Sequence, residues 1–428
     1  MTKNLLSLCI VSLAIILSVG CERSPQSEED RNYRIQRAES EIPRFSGPDP
    51  FAVLLTSFNN MLNLEIAREQ PRASLDSLMR EYRIPGVSVA VIDDYEIDWM
   101  KGYGEIHAGR GIKVKPDTYF EAGSTTKIVT AALVMKLAEM GKIDLEKDVN
   151  EYLKSWKIPD SPLLSNKKVT TRLLLSHTSG LSEGNDFGSV EGKVPTVVDV
   201  LEGREPATND AAEIEYEPGT RWHYSNFGFI VVQLMLEDHL GRPYAELMQE
   251  YIFDPLEMNR STFEHYDKKA IRDEVIVPHD GSGTPHERDM NPTIKAHGDL
   301  LTTPGDLAKF AIELTKAYVG EPNALFSRQT AQEMLKVSRG IKTDELYGLK
   351  DMSYGLGAFL LGELETFCFM HPGSNNPGTS CMLIANPTAG KGAVIMTNGE
   401  QGLLLVVQMV TGISLIYDWP YHSYAELQ

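Results

Sequence analysis

The spacing of apolar residues changes character several times along the chain. A first apolar run, Leu5 to Val19, follows one early cation, Lys3, and is interrupted only by small polar residues. It is too short to cross a bilayer comfortably and reads as the core of a signal peptide, residues 1–20. Residues 21–60 are polar, charged and turn-rich ("CERSPQSEEDRNYRIQRAESEIPRFSGPDP"), the composition of a tether. "RASLDSLMREYRI", starting at Arg72, is apolar at helical spacing. "PGVSVAVIDD" and "YEIDWMKGYGEI" then read as two strands joined by a short acidic turn. From about residue 115 to 305 the pattern is mostly helical runs between loops. Strand-like runs return from about residue 353: "YGLGAFLLG", "TFCFMHPG", "TSCMLIANP" and "KGAVIMTNG". "LLLVVQMVTGISLIYDW" is long enough for a closing helix, yet no segment after the first run is long and apolar enough to span a membrane.

Strands at both ends of the body and helices between them predict an α+β fold. One antiparallel sheet is built from both termini and flanked by helices, and a mainly helical domain is inserted within it. The expected body is 61–428, with the sheet domain at about 61–115 and 305–428 and the helical domain at about 116–304. A site would fall in the cleft between the two.

Charge narrows the function classes. The net charge is −19 with acidic residues spread along the chain, which excludes the basic face that nucleic acid demands. Cysteine adds a targeting signal. The apolar run ends in "LSVGC", which resembles the bacterial lipoprotein processing site, with Cys21 as the lipidated residue. Glu22 follows it, which in a two-membrane bacterium resembles sorting to the outer membrane, facing the periplasm. Cys368 and Cys381 lie in two strand-like segments; a cross-strand disulfide and two buried free thiols are both compatible with that placement.

The candidate chemistry sits in "YFEAGSTTKIVTAALVMKLAEMGKIDL", residues 119–145. Ser124 and Lys127, at i and i+3, share one face at the start of an apolar helix. The positive helix end and partial burial both favour a neutral lysine amine, which beside a hydroxyl makes a nucleophile and its base. The competing reading makes Ser124 a helix cap and Lys127 a solvated side chain. "WHYSNFGF" adds Tyr224 and Asn226, and "MHPGSNNPG" adds His371, Pro372 and Gly373 at a strand end. Acyl transfer needs a proton shuttle, a substrate-orienting amide and a second oxyanion donor, and these segments can supply them.

Together with "TTRLLLSHTSGL", "EPGTRWHYSNFGF", "YIFDPLEMNRSTF" and "HGDLLTTPGDLAKF", these motifs resemble the serine β-lactamase and penicillin-binding-protein superfamily, on its class C β-lactamase-related branch. The resemblance covers roughly residues 75–415. It implies Ser124 as nucleophile, Lys127 as its activating partner and Tyr224 as proton shuttle. Asn226 would orient the substrate, His371 would stand at the cleft edge, Gly373 would let substrate pass close to the backbone, and Ser374 would give the second oxyanion N–H. His177 in "SHTSGL" is expected to be structural. Thr303, Pro304 and Asp306 read as a helix cap, a first-turn proline and an acidic third position. His279, His286 and His297 lack recognisable metal-ligand spacing, and no metal or organic cofactor is implied.

The expected protein is therefore an exported, membrane-tethered serine hydrolase working through an acyl-enzyme. Its substrates are small-molecule esters, amides or D-amino-acid peptides. A true class C β-lactamase and a non-catalytic binding lipoprotein on the same scaffold are the alternatives.

Overall fold

The computed structural model describes residues 27–47, 53–54, 57, 64–164, 167–264, 274–286, 291–338 and 352–420. Five helices organise it: α1 (Glu28–Ser40), α2 (Thr126–Glu139), α3 (Asn226–Leu240), α4 (Pro304–Val319) and α5 (Gly402–Ile416). Seven strands form one sheet: β1 (Gly86–Asp93), β2 (Glu96–Gly104), β3 (Met352–Tyr354), β4 (Phe359–Leu361), β5 (Cys368–Asn375), β6 (Thr379–Asn386) and β7 (Lys391–Thr397). Their order is β2-β1-β7-β6-β5-β4-β3, and every pairing is antiparallel. The sheet is thus closed by strands from the two ends of the body, as the sequence pattern predicts.

The acidic turn between β1 and β2 is a two-residue loop. Asp93 pairs with Glu96, and Asp94 and Tyr95 both adopt positive φ (54° and 62°), the twist that matches a tight hairpin. β1 and β6 are buried along their whole length because both faces of the sheet are covered. Successive side chains alternate between two cores. Ala90, Ile92, Leu383, Val394 and Met396 pack with Leu307, Phe310 and Leu314 of α4. Val87, Val89, Val91, Met382 and Ile395 pack with Leu405, Met409 and Ile413 of α5. That two-sided burial is why these strands read as continuous apolar runs. α2 and α3 belong to the α4 side, where Ile128, Leu133, Phe229 and Met235 are all buried. Thr303 caps α4 through its side chain (3.2 Å from Asp306 N) with Pro304 in the first turn, as expected.

The tether expectation fails over its described part. Glu28–Ser40 is a helix that Ser27 caps, and its Arg34 meets Asp93 at 2.9 Å while Arg31 meets Asp98 at 3.1 Å. Ile42 and Phe45 are buried in the α5 core, and Ile42–Pro43 pairs with Arg72–Ala73. The charges that make this stretch look like a spacer are spent on the body, leaving its few apolar residues to pack. Residues 1–20 and Cys21 lie outside the described residues. Among the described residues no helix is long and apolar enough to cross a membrane.

Cys368 and Cys381 are free and buried. Cys381 pairs with Gly373, five residues along β5 from Cys368, which at the rise of a strand is on the order of 15 Å. The two thiols also enter different cores, one on each side of the sheet. Burial pushes both up to about 12, so neither is a reactive thiolate near neutral pH.

Candidate active site

The site begins with a short turn. Gly123–Thr125 forms a 3-10 turn leading straight into α2, and Ser124, within it, is half-buried. Neither Ala122 nor Thr125, at the two cap positions, makes a side-chain cap bond. α2 is apolar on every side and so is buried on every side, carrying Lys127 in with it at 0% exposure. Lys127 Nζ lies 3.1 Å from Ser124 Oγ and donates to the His297 carbonyl at 2.6 Å. The solvated-lysine reading is therefore excluded by its burial. Desolvation holds the Lys127 pKa well below its ordinary value, opposed only by the charge of Glu183, which favours the neutral amine that can take the hydroxyl proton.

Two elements hold this pair. Gln233 of α3 accepts from Lys295 N (2.7 Å) and Ala296 N (3.2 Å) and donates to Thr293 O, and Thr130 donates to Ala296 O. These bonds fix the segment that presents the His297 carbonyl to Lys127. On the other side, β5 runs against the Gly123–Thr125 turn. A Cβ on Gly373 would stand 2.0 Å from Ala122 O, and one on Gly123, whose φ is +52°, would stand 2.8 Å from Ser374 N. Only glycine allows this approach, which brings Ser374 N beside the nucleophile's turn. Thr125 Oγ1 ties the same contact by donating to His371 O at 3.0 Å.

Tyr224 precedes α3 by two residues, and its ring centroid lies 4.9 Å from Lys127 Nζ. Asn226, in the first turn of α3, donates from its amide to Gly184 O (2.8 Å) and from its backbone to Glu183 O (2.7 Å). Ser124, Asn226 and Ser374 open into one cleft of about 800 Å³, shared with Phe187, His297 and Asp299. Six of the seven residues singled out for chemistry thus converge on one place: Ser124, Lys127, Tyr224, Asn226, Gly373 and Ser374.

His371 does not stand at the cleft edge. It is 1% exposed, with Nδ1 donating to Pro372 O at 2.6 Å, Nε2 accepting from the Tyr354 hydroxyl at 3.3 Å, and its ring against Phe359. Burial above all pushes its pKa down to about 3, and any positive charge on the nearby Lys127 would act in the same direction. It is a neutral wedge behind the strand rather than a substrate-binding residue of the cleft edge. The His297 carbonyl, which the sequence reading missed, has no signal of its own because it is a backbone atom. Among the described residues no group of three or more metal-ligating side chains is gathered.

A family profile described as Beta-lactamase matches residues 72–409 of this chain. The chain belongs to the Beta-lactamase family. As a member it is a β-lactamase-related serine hydrolase. It is 27% identical over 331 residues to "Penicillin-binding protein 4" of Amycolatopsis lactamdurans, covering 76% of this chain and 83% of that one. It is 25% identical over 217 residues to "Protein flp" of Staphylococcus aureus (strain MW2), covering 50% of this chain and only 42% of that longer protein. Its fold superposes on the octameric penicillin-binding protein homologue from Pyrococcus abyssi with a TM-score of 0.65 at 25% identity, covering 82% of this chain and 76% of that one.

Proposed function

We propose that this Beta-lactamase family member is an exported, membrane-tethered hydrolase that forms an acyl-enzyme on Ser124 and turns over neutral esters or small acyl amides, D-amino-acid amides and peptides among them. The observation that carries the reading is the buried Lys127 amine 3.1 Å from Ser124 Oγ, its pKa held well below the ordinary value by desolvation. Lys127 Nζ takes the Ser124 proton as Oγ attacks the carbonyl carbon. The oxyanion is received by the N–H groups of Ser124 and Ser374. Tyr224 gives its hydroxyl proton to the leaving group while taking the proton held by Lys127. Asn226 orients the acyl side, and water, deprotonated by the same pair, releases the acid.

Substrate class follows from His371. Its place on the strand is where the lactam-directed Lys-Thr-Gly version of the motif carries a permanent cation, and a neutral, buried histidine offers a substrate carboxylate nothing there. Acyl groups without a carboxylate fit better. The test is a serine-directed fluorescent phosphonate followed by mass spectrometry, alongside turnover of a short-chain ester, a D-alanyl amide and a cephalosporin. The expected result is an adduct on Ser124, absent in Ser124→Ala, with the ester and amide outpacing the cephalosporin. An adduct on another serine overturns the mechanism, and a preferred cephalosporin overturns the substrate class.

Anchoring rests on Cys21 at the end of the apolar run. Lipid at that one residue would supply the membrane affinity, so Cys21→Ser is expected to move the exported protein from the membrane pellet to the soluble fraction. Wild-type protein already soluble after export would leave only a cleaved signal peptide.

A further inference from the structure

His177 takes no part in the chemistry above, yet it is 0% exposed and packed against the machinery. Its backbone is in the left-handed region, with φ at 56°. Its carbonyl accepts from His223 N at 2.8 Å, and its ring Nδ1 accepts from Ser225 N at 3.0 Å. Those two residues flank Tyr224 on either side. The His177 ring itself lies against the Tyr224 ring, with centroids 4.3 Å apart and planes inclined at 35°. One residue thus grips the Tyr224 segment at three points.

The tautomer follows from the bonds. A backbone N–H only donates, so Nδ1 carries the lone pair and the ring proton is on Nε2. Nε2 is buried and has no hydrogen-bond partner among the described residues. An unpaired buried donor costs free energy, and a leucine would fill the same space without that cost. What leucine could not do is accept from Ser225 N. Trp222, Phe229 and Tyr354 pack around the ring, and the titratable groups that face it are Lys127, His371 and His223. Desolvation by burial holds the ring's pKa well below its ordinary value, which favours the neutral ring over a proton-carrying one.

We propose that His177 is a positioning residue that clamps residues 223–225 and so fixes where the Tyr224 hydroxyl stands relative to Lys127 and the leaving group. The proposal rests on the reading of Tyr224 as proton shuttle. It predicts that His177 matters for kcat, through Tyr224, and little for substrate binding.

The experiment is a double-mutant cycle on a neutral ester, with kcat, KM and thermal midpoint measured for each full-length variant. Asparagine tolerates positive φ and offers an acceptor in place of Nδ1, whereas leucine offers none. His177→Leu is expected to lower kcat roughly 100-fold with KM within about threefold, and His177→Asn to recover kcat to within roughly tenfold of wild type. In a Tyr224→Phe background, both His177 substitutions are expected to cost no more than about threefold further. If Tyr224→Phe by itself leaves kcat intact, the shuttle reading falls and this proposal with it. If Tyr224→Phe is costly but each His177 substitution costs the same factor in both backgrounds, this proposal alone falls. Should His177→Leu fail to fold, the His177→Asn arm of the cycle decides by the same criterion.

Discussion

Lys127 shows how one residue can trade stability for chemistry. In the unfolded chain its pKa is near the ordinary ~10.4, while in the folded protein desolvation depresses it. Between the depressed value and ~10.4 the unfolded state binds one proton more, so this group takes stability away there, and stability rises with pH across that window. The same sign governs activity: kcat/KM for a neutral ester should rise with pH as Lys127 loses its proton and flatten well below 10.4. Replacing the lysine separates the two effects. Lys127→Met should lose several decades of turnover at pH 7 while its calorimetric Tm is no lower than that of the wild type. Lys127→Arg, which cannot become neutral, should lose both activity and several degrees of Tm. A Met variant several degrees less stable than wild type would mean the ammonium is charged in place and held by the His297 carbonyl.

At the scale of elements, the catalytic geometry is a contact between β5 and the turn before α2. The turn supplies Ser124, the helix supplies Lys127, and the strand supplies Ser374 N, held together by two glycines and the bond from Thr125 to His371 O. Gly373 admits no side chain, since a Cβ would stand 2.0 Å from Ala122 O and 2.8 Å from Thr125 N, both backbone atoms that cannot rotate away. Gly373→Ala should therefore push strand and turn apart. The expected outcome is a loss of kcat/KM of at least about 100-fold, as displaced reacting groups incur, with a fall in Tm of a few degrees. Unchanged ester kinetics in that variant would mean that the close approach is not needed for turnover.

Across the whole molecule, the N-terminal segment is part of the body. Ile42 and Phe45 lie in the α5 core, Phe45 N donates to Gln408 at 3.3 Å, and Arg34 joins Lys391 (2.6 Å) in neutralising the buried Asp93. Burying two large apolar side chains is worth roughly 4 kcal/mol. At about 1 °C per kcal/mol for a chain this size, deleting residues 1–46 should lower Tm by roughly 5 °C in a calorimetric scan. A Tm unchanged by that deletion would restore the spacer reading for this segment. The same docking means that, if Cys21 is lipidated, only the residues between it and Ser27 separate the anchor from folded protein.

Much of this was already fixed in the linear pattern. Apolar periodicity placed the sheet strands at both ends and helices between them, because period 2 and period 3.6 are properties of local backbone geometry. The serine three residues before a lysine, the Tyr224–Asn226 segment and Gly373 were legible because each needs a particular side chain, or its lack, at a particular spacing. What the pattern could not decide was burial, which depends on what lies across from a residue in space. His371 looked like a residue of the cleft edge, and only the packing of Tyr354 and Phe359 around it shows it buried behind the strand. The charged stretch after residue 27 looked solvated, and only Asp93 and Asp98, far along the chain, turn its arginines inward. The His297 carbonyl on Lys127 and the grip of His177 on Tyr224 likewise join residues many positions apart through backbone atoms, which every residue possesses and no sequence distinguishes.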